Sequence, residues 1–190
     1  MKRENIYTLQ KNKEATGNGG NIPANDVAFE AVKKTVKTGV LFCPESSGNN
    51  FDKIISVAGA VTKDFPQTNL FCYIKKITKD HDLSSLSNFE IIDRKKFNIF
   101  GNLKRNFAVH LAEVHYDLFI VLGNPGNKQC KKILKVFNST IVAGQAFENS
   151  EQLFDISIGS KDKPMNNETF YKELINYLKL LKIDFFNNMN

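Results

Sequence analysis

The chain has 190 residues, a formal net charge of +6 and 42% hydrophobic residues. That size suits one domain with a tail, and that apolar fraction suffices for a packed core. No apolar run reaches the roughly 18 residues that cross a membrane, "MKRENIYTLQKNKEATGNGGN" lacks the apolar segment of a secretory signal, and the three cysteines, without a CxxC spacing, give no disulfide framework. These exclusions predict a cytoplasmic protein with no membrane span.

In chain order, residues 1–22 are polar, carry "TGNGGN" and show no period, so a disordered tail is expected before a single domain over residues 23–190. "NDVAFEAVKKTVKT" offers Asn25 or Asp26 as an N-cap and Val27, Phe29, Val32 and Val36 as the apolar face of a short helix. "TGVLFC" is apolar on both faces, as a central parallel strand requires. Residues 51–64 place Ile54, Ile55, Ala58 and Val61 on one helical face, and Pro66 stops the helix. "NLFCYIKK" and the shorter "FEIID" read as strands. "NLKRNFAVHLAEVHY" reads as a helix with Leu103, Phe107, His110 or Leu111, and Val114 at helical spacing. "DLFIVLG" is a second central strand, "NKQCKKILKVF" a lysine-faced helix, and "STIVAG" and "FDISIG" further strands. "NNETFYKELINYLKLLKI" closes the chain as the longest helix, with Leu174, Tyr177, Leu178 and Leu181 expected inward.

Alternating strands and helices mean βαβ units with right-handed crossovers. The predicted fold is therefore α/β: a Rossmann-like three-layer sandwich with a mainly parallel sheet of five to six strands and helices on both faces. The most apolar runs, 39–43 and 118–122, are expected to be central neighbours.

In such sheets ligands bind beyond the carboxyl ends of the strands, where strand order reverses. "CPESSGNNFDK" falls at such a place, with Ser46, Ser47, Gly48 and Asn49 offering hydroxyls and backbone N–H groups at a helix start. "GNPGNK" is expected beside it, contributing Asn124, Gly126 and Lys128. The first loop matches neither a P-loop nor GxGxxG, and Glu45 repels a phosphate. Ser, Gly and Asn also serve any strand-to-helix turn. Basic residues follow the strands: Lys75 and Lys76, then Arg94, Lys95 and Lys96, then Lys104 and Arg105. Parallel strands gather them on the carboxyl edge as a basic rim for nucleic acid or another anion, with Phe97 and Phe100 among them.

No catalytic residue, metal site or cofactor is expected. His81, His110 and His115 share no metal-ligand spacing with a Cys or carboxylate. No GxSxG elbow is present. Asp117 and Asp155 open apolar strands as "YDLF" and "FDIS", at the amino ends, where a carboxylate caps backbone N–H groups rather than facing a ligand. Lys128, Lys131 and Lys132 flank Cys130 and favour its thiolate, but no His lies near it in sequence.

The stretches "YDLFIVLG" and "NSTIVAGQAF" resemble the N-terminal half of heptosyltransferase-like glycosyltransferases of the GT-B fold. A closer resemblance is to a family of short, uncharacterised bacterial proteins. It is carried by "KTGVLF", "YDLFIVLG", "TIVAG", "FDISIG" and "FYKELINYLKLL" and covers roughly residues 28–183. These motifs are mostly hydrophobic strands, so they imply a fold. Val121 stands where that family has an aspartate. The glycosyltransferases hold their sugar nucleotide mainly in a second domain, for which this length leaves no room, so glycosyl transfer by the chain alone is not expected.

The expected function is thus a non-catalytic binding or interaction module, acting through the carboxyl edge of the sheet or a protein partner, a second copy included. An RNA- or ribosome-associated factor using the basic rim is the alternative, and a degenerate glycosyltransferase-like enzyme the second.

Overall fold

The computed structural model describes residues 36–43, 51–75, 89–123, 126–148, 150–160, 162–163 and 165–181. The expected tail at 1–22 and helix within 25–38 fall almost wholly outside these residues, as do Ser46, Ser47, Gly48, Asn49, Lys76, His81 and Asn124.

Among the described residues six strands form one sheet: β1 Thr38–Cys43, β2 Thr68–Tyr73, β3 Phe89–Ile92, β4 His115–Gly123, β5 Asn138–Gln145 and β6 Ile156–Ile158. Every pairing is parallel, in the order β3-β2-β1-β4-β5-β6. The Rossmann-like α/β expectation holds. The runs 39–43 and 118–122 are indeed central neighbours, with Val40 opposite Ile120 and Leu41 opposite Val121. All six residues of β1 are buried, because helices cover both sheet faces and leave no solvated side to alternate toward.

Alternation along each strand sends side chains to two cores. Val40, Phe42, Cys72, Leu118 and Ile120 share one core with helices α1 Phe51–Asp64 and, at the end of the chain, α4 Asn167–Leu180. Leu41, Cys43, Phe71, Phe119 and Val121 share the other with α2 Arg105–Glu113 and α3 Lys128–Leu134. In α1 the buried set Ile54, Val57, Ala58 and Val61 repeats at helical spacing, and the helix ends two residues before Pro66. The second core is aromatic. The ring of Phe137 lies 4.3 Å from that of Phe119 and 4.7 Å from that of Phe71, centroid to centroid.

Two aspartates hold strand entries. The Asp117 carboxylate accepts the Lys37 N–H at 3.0 Å, and that of Asp155 accepts the Val142 N–H at 2.8 Å. In each case the aspartate N–H donates back to the same residue's carbonyl, at 2.9 Å for Asp117 and 2.8 Å for Asp155. Both side chains are thereby committed to the backbone of a neighbouring strand.

Two expectations are corrected. Tyr177 and Leu181, expected inward on α4, are 41% and 48% exposed. The inward stripe is Phe170, Tyr171, Leu174 and Leu178; Tyr177 lies on its flank, and Leu181 is the C-cap, past the last packed turn. The helix expected over 102–116 is also shorter. His115 and Tyr116 pair with Asn138 and Ser139 of β5, so the strand claims them. Backbone pairing outweighs a marginal last helical turn there.

Candidate functional site

Strand order reverses between β1 and β4, since β2 and β3 lie to one side of β1 while β4, β5 and β6 lie to the other. Gly123, at the carboxyl end of β4, has φ +88, and a Cβ there would collide with the Cys43 carbonyl at the end of β1. Only glycine permits this close approach of the two strand ends.

A cavity of about 490 Å³ opens at this edge, lined from the ends of β2 and β3 and from the start of α3, which follows β4. Tyr73 and Phe97 form an aromatic wall, with ring centroids 5.9 Å apart in an edge-on arrangement. Asn98 and Gln129 supply amides, and Lys75 and Arg94 supply cations. No carboxylate is among its described lining residues. Burial raises the pKa of the Tyr73 phenol, and the Arg94 charge partly opposes that rise. The phenol is thus a neutral hydrogen-bond donor at neutral pH, beside a permanent cation.

Lys75 and Arg94 of the expected rim are therefore brought together at one cavity. Lys95 sits in a short 3-10 turn at Arg94–Lys96, which is capped by Asp93 accepting the Lys95 N–H at 3.0 Å. The Lys96 ammonium stands 4.4 Å from the centre of the Phe107 ring. Lys104 is the N-cap of α2 and Arg105 its first residue, and both are exposed. Lys128 begins α3, whose N-cap Asn127 accepts the Gln129 N–H at 2.8 Å; Gly126 precedes it on the surface. Lys132 is engaged with the loop after β3, its ammonium 2.6 Å from the Gly101 carbonyl.

Phe97 and Phe100 part company: Phe97 is buried and Phe100 is 78% exposed. Of the lining residues, sequence reading missed Tyr73, Asn98, Ile99, Gly101 and Gln129. Tyr73 is hidden in an apolar strand, and Gln129 sits at the start of α3, whose place at this cavity no local pattern announces.

The thiols take no part. Cys43, Cys72 and Cys130 are all buried. Burial and a hydrogen bond with Cys130 push the Cys43 thiol far above its ordinary range. Burial pushes that of Cys72 up to about 12. His110 lies 3.3 Å from the Glu90 carboxylate, and His115 contacts Asn138 and Thr140. Among the described residues no His, Cys, Asp and Glu cluster could hold a metal ion, and no helix is long and apolar enough to cross a membrane.

Residues 21–181 match the model of a family described as a family of unknown function (DUF6913). No curated protein and no solved structure matches the chain.

Proposed function

We propose, from the premise that the chain belongs to this family of unknown function, DUF6913, that it is a non-catalytic module binding a phosphate-bearing small ligand at the carboxyl edge of its sheet. One observation carries this reading: a cavity of about 490 Å³ that holds Lys75 and Arg94 and no carboxylate among its described lining residues. That volume suits a mononucleotide-sized molecule, since ligand sites commonly enclose about 300–1,000 Å³. The Arg94 guanidinium matches a phosphate in bidentate geometry, Lys75 adds a mobile charge, and the phenol of Tyr73 donates. Phe97 and the two amides suit a planar group attached to the phosphate.

A single domain over residues 23–190 and a cytoplasmic location belong to the same proposal. Degenerate glycosyltransferase activity draws no support from Asp117 and Asp155, whose carboxylates bond strand backbone away from the cavity. Binding of RNA or the ribosome is favoured by one specific feature, the stretch "RKKFNIFGNLKR" at residues 94–105, with five cations and no acid.

Calorimetric titration of the full chain at low salt, with inorganic phosphate and with nucleoside monophosphates, tests the cavity. Binding is expected, and Arg94→Ala should weaken it about tenfold, the value of one charge-assisted contact. Absence of binding, or an Arg94→Ala variant that binds as the parent does, overturns the proposal.

A further inference from the structure

The loop after β3 is a small hairpin. Phe97 pairs with Leu103 in antiparallel sense, and the Lys104 N–H donates to the Lys96 carbonyl at 2.9 Å. Its tip is held firmly. The Asn98 side-chain oxygen accepts the N–H groups of Phe100 and Asn102, both at 3.0 Å. The Asn98 N–H reaches the Asn102 carbonyl at 2.8 Å, and Gly101 closes the turn at φ +68. The Lys132 ammonium pins the same turn from α3, 2.6 Å from the Gly101 carbonyl and 2.7 Å from Asn102 Oδ1.

Yet this well-bonded turn carries Ile99 at 93% exposure and Phe100 at 78%, the first and third most exposed of the large hydrophobic side chains described. Their exposure is therefore imposed by the backbone rather than left by a loose loop. Behind them stand Arg94, Lys95, Lys96, Lys104 and Arg105, with no Asp or Glu from residue 94 to residue 105.

We propose that this hairpin docks the protein on an anionic lipid surface, Ile99 and Phe100 entering the bilayer interface while Lys95, Lys104 and Arg105 meet the phosphate headgroups. The inference goes beyond the cavity reading, although the hairpin also supplies Phe97, Asn98, Ile99 and Gly101 to the cavity lining. Phe100 lies three positions beyond Phe97, at most about 10 Å of chain at strand spacing. Apolar groups of interfacial elements enter about 5–10 Å, so cations at the hairpin base fall at headgroup depth. Clustered Lys and Arg beside such a tip complement the negative cytoplasmic leaflet. RNA fits the tip less well. Stacking uses flat π-faces, and Ile99, the more exposed of the pair, has none.

The test is sedimentation of the full-length protein with vesicles of phosphatidylcholine alone and of phosphatidylcholine mixed equally with phosphatidylglycerol. A parallel titration uses single-stranded RNA. Binding is expected to the anionic vesicles only, reduced at least tenfold by the double variant Ile99→Asn, Phe100→Asn and retained by Phe100→Leu, which keeps the apolar volume. Both changes sit at an exposed tip, and an unchanged melting temperature verifies the fold. No anionic-vesicle binding, or a double variant that binds them as the parent does, overturns the proposal. RNA binding lost in Phe100→Leu, with vesicle binding absent, would replace it with a nucleic-acid surface. Vesicle binding by a parent protein that binds neither phosphate nor nucleotide overturns the cavity reading alone, and phosphate binding without vesicle binding overturns the docking reading alone, so the two fail separately.

Discussion

At the scale of single residues, the two strand aspartates serve the backbone of the sheet. Asp117 illustrates this: its carboxylate accepts an N–H from the residue just before β1. Asp117→Ala should destabilise the fold by about 1–2 kcal/mol, the usual worth of a hydrogen bond to a charged group that is partly exposed, measured by urea unfolding. The buried thiols set an alkaline limit. The Cys72 thiol has a native pKa raised from 9.0 to about 12. Below pH 9 it is protonated in both states and its contribution is intact. Between those values the unfolded chain gives up a proton that the native state keeps, so stability falls as pH rises, by about 1.4 kcal/mol per unit. Cys43 and Tyr171, also raised by burial, act in the same direction. Unfolding free energies from pH 8 upward should therefore fall less steeply in Cys72→Ala than in the parent. Equal slopes would refute the assignment.

At the scale of elements, α4 seals one face of the sheet with Phe170, Tyr171, Leu174 and Leu178, and the Tyr171 hydroxyl donates to Asp64 of α1 at 2.8 Å. Leu178→Ala should cost about 2–5 kcal/mol, as truncations in a tight core do. Leu181→Ala, at a half-exposed C-cap, should cost under about 0.5 kcal/mol; thermal melts of both variants compare the two. The sequence pattern supported the helix but not the limits of its packed face. Helical spacing tells which residues share a stripe, whereas the point at which the stripe overhangs the sheet depends on strand lengths elsewhere. His115 and Tyr116 were misplaced for a related reason: only the register with Asn138 and Ser139 decides that the strand begins before Asp117. The central strands were legible because burial on both faces leaves an unbroken apolar run, as in "TGVLFC".

At the scale of the whole molecule, parallel strands bring the segments after β2, β3 and β4 to one edge, and that much was legible. The division of labour within it was not legible. Lys75 and Arg94 share the cavity while Lys132 is spent on the hairpin, and that sorting depends on how α3 lies against the loop after β3. Ile99 went unnoticed and Phe100 was placed only among the rim cations, because composition cannot distinguish an apolar side chain turned inward from one held at a tight turn. The available signal was "NIFGN", a turn sequence with apolar residues at its tip and cations on both sides. If the rim does take RNA, Arg94→Ala should flatten the salt dependence by about one unit of log–log slope, as loss of one phosphate contact does. A slope unchanged in binding titrations across salt would exclude Arg94 from that contact.

The placement of the three thiols equips the protein with its own clocks. Cys72 lies in the core that α1 and α4 cover, Cys43 and Cys130 in the core that α2 and α3 cover. A thiol reagent reaches none of them until a helix layer lifts from the sheet. The order of labelling, followed by mass spectrometry with time, therefore reports which layer peels away first. Simultaneous reaction of all three would mean that both layers leave in one cooperative event.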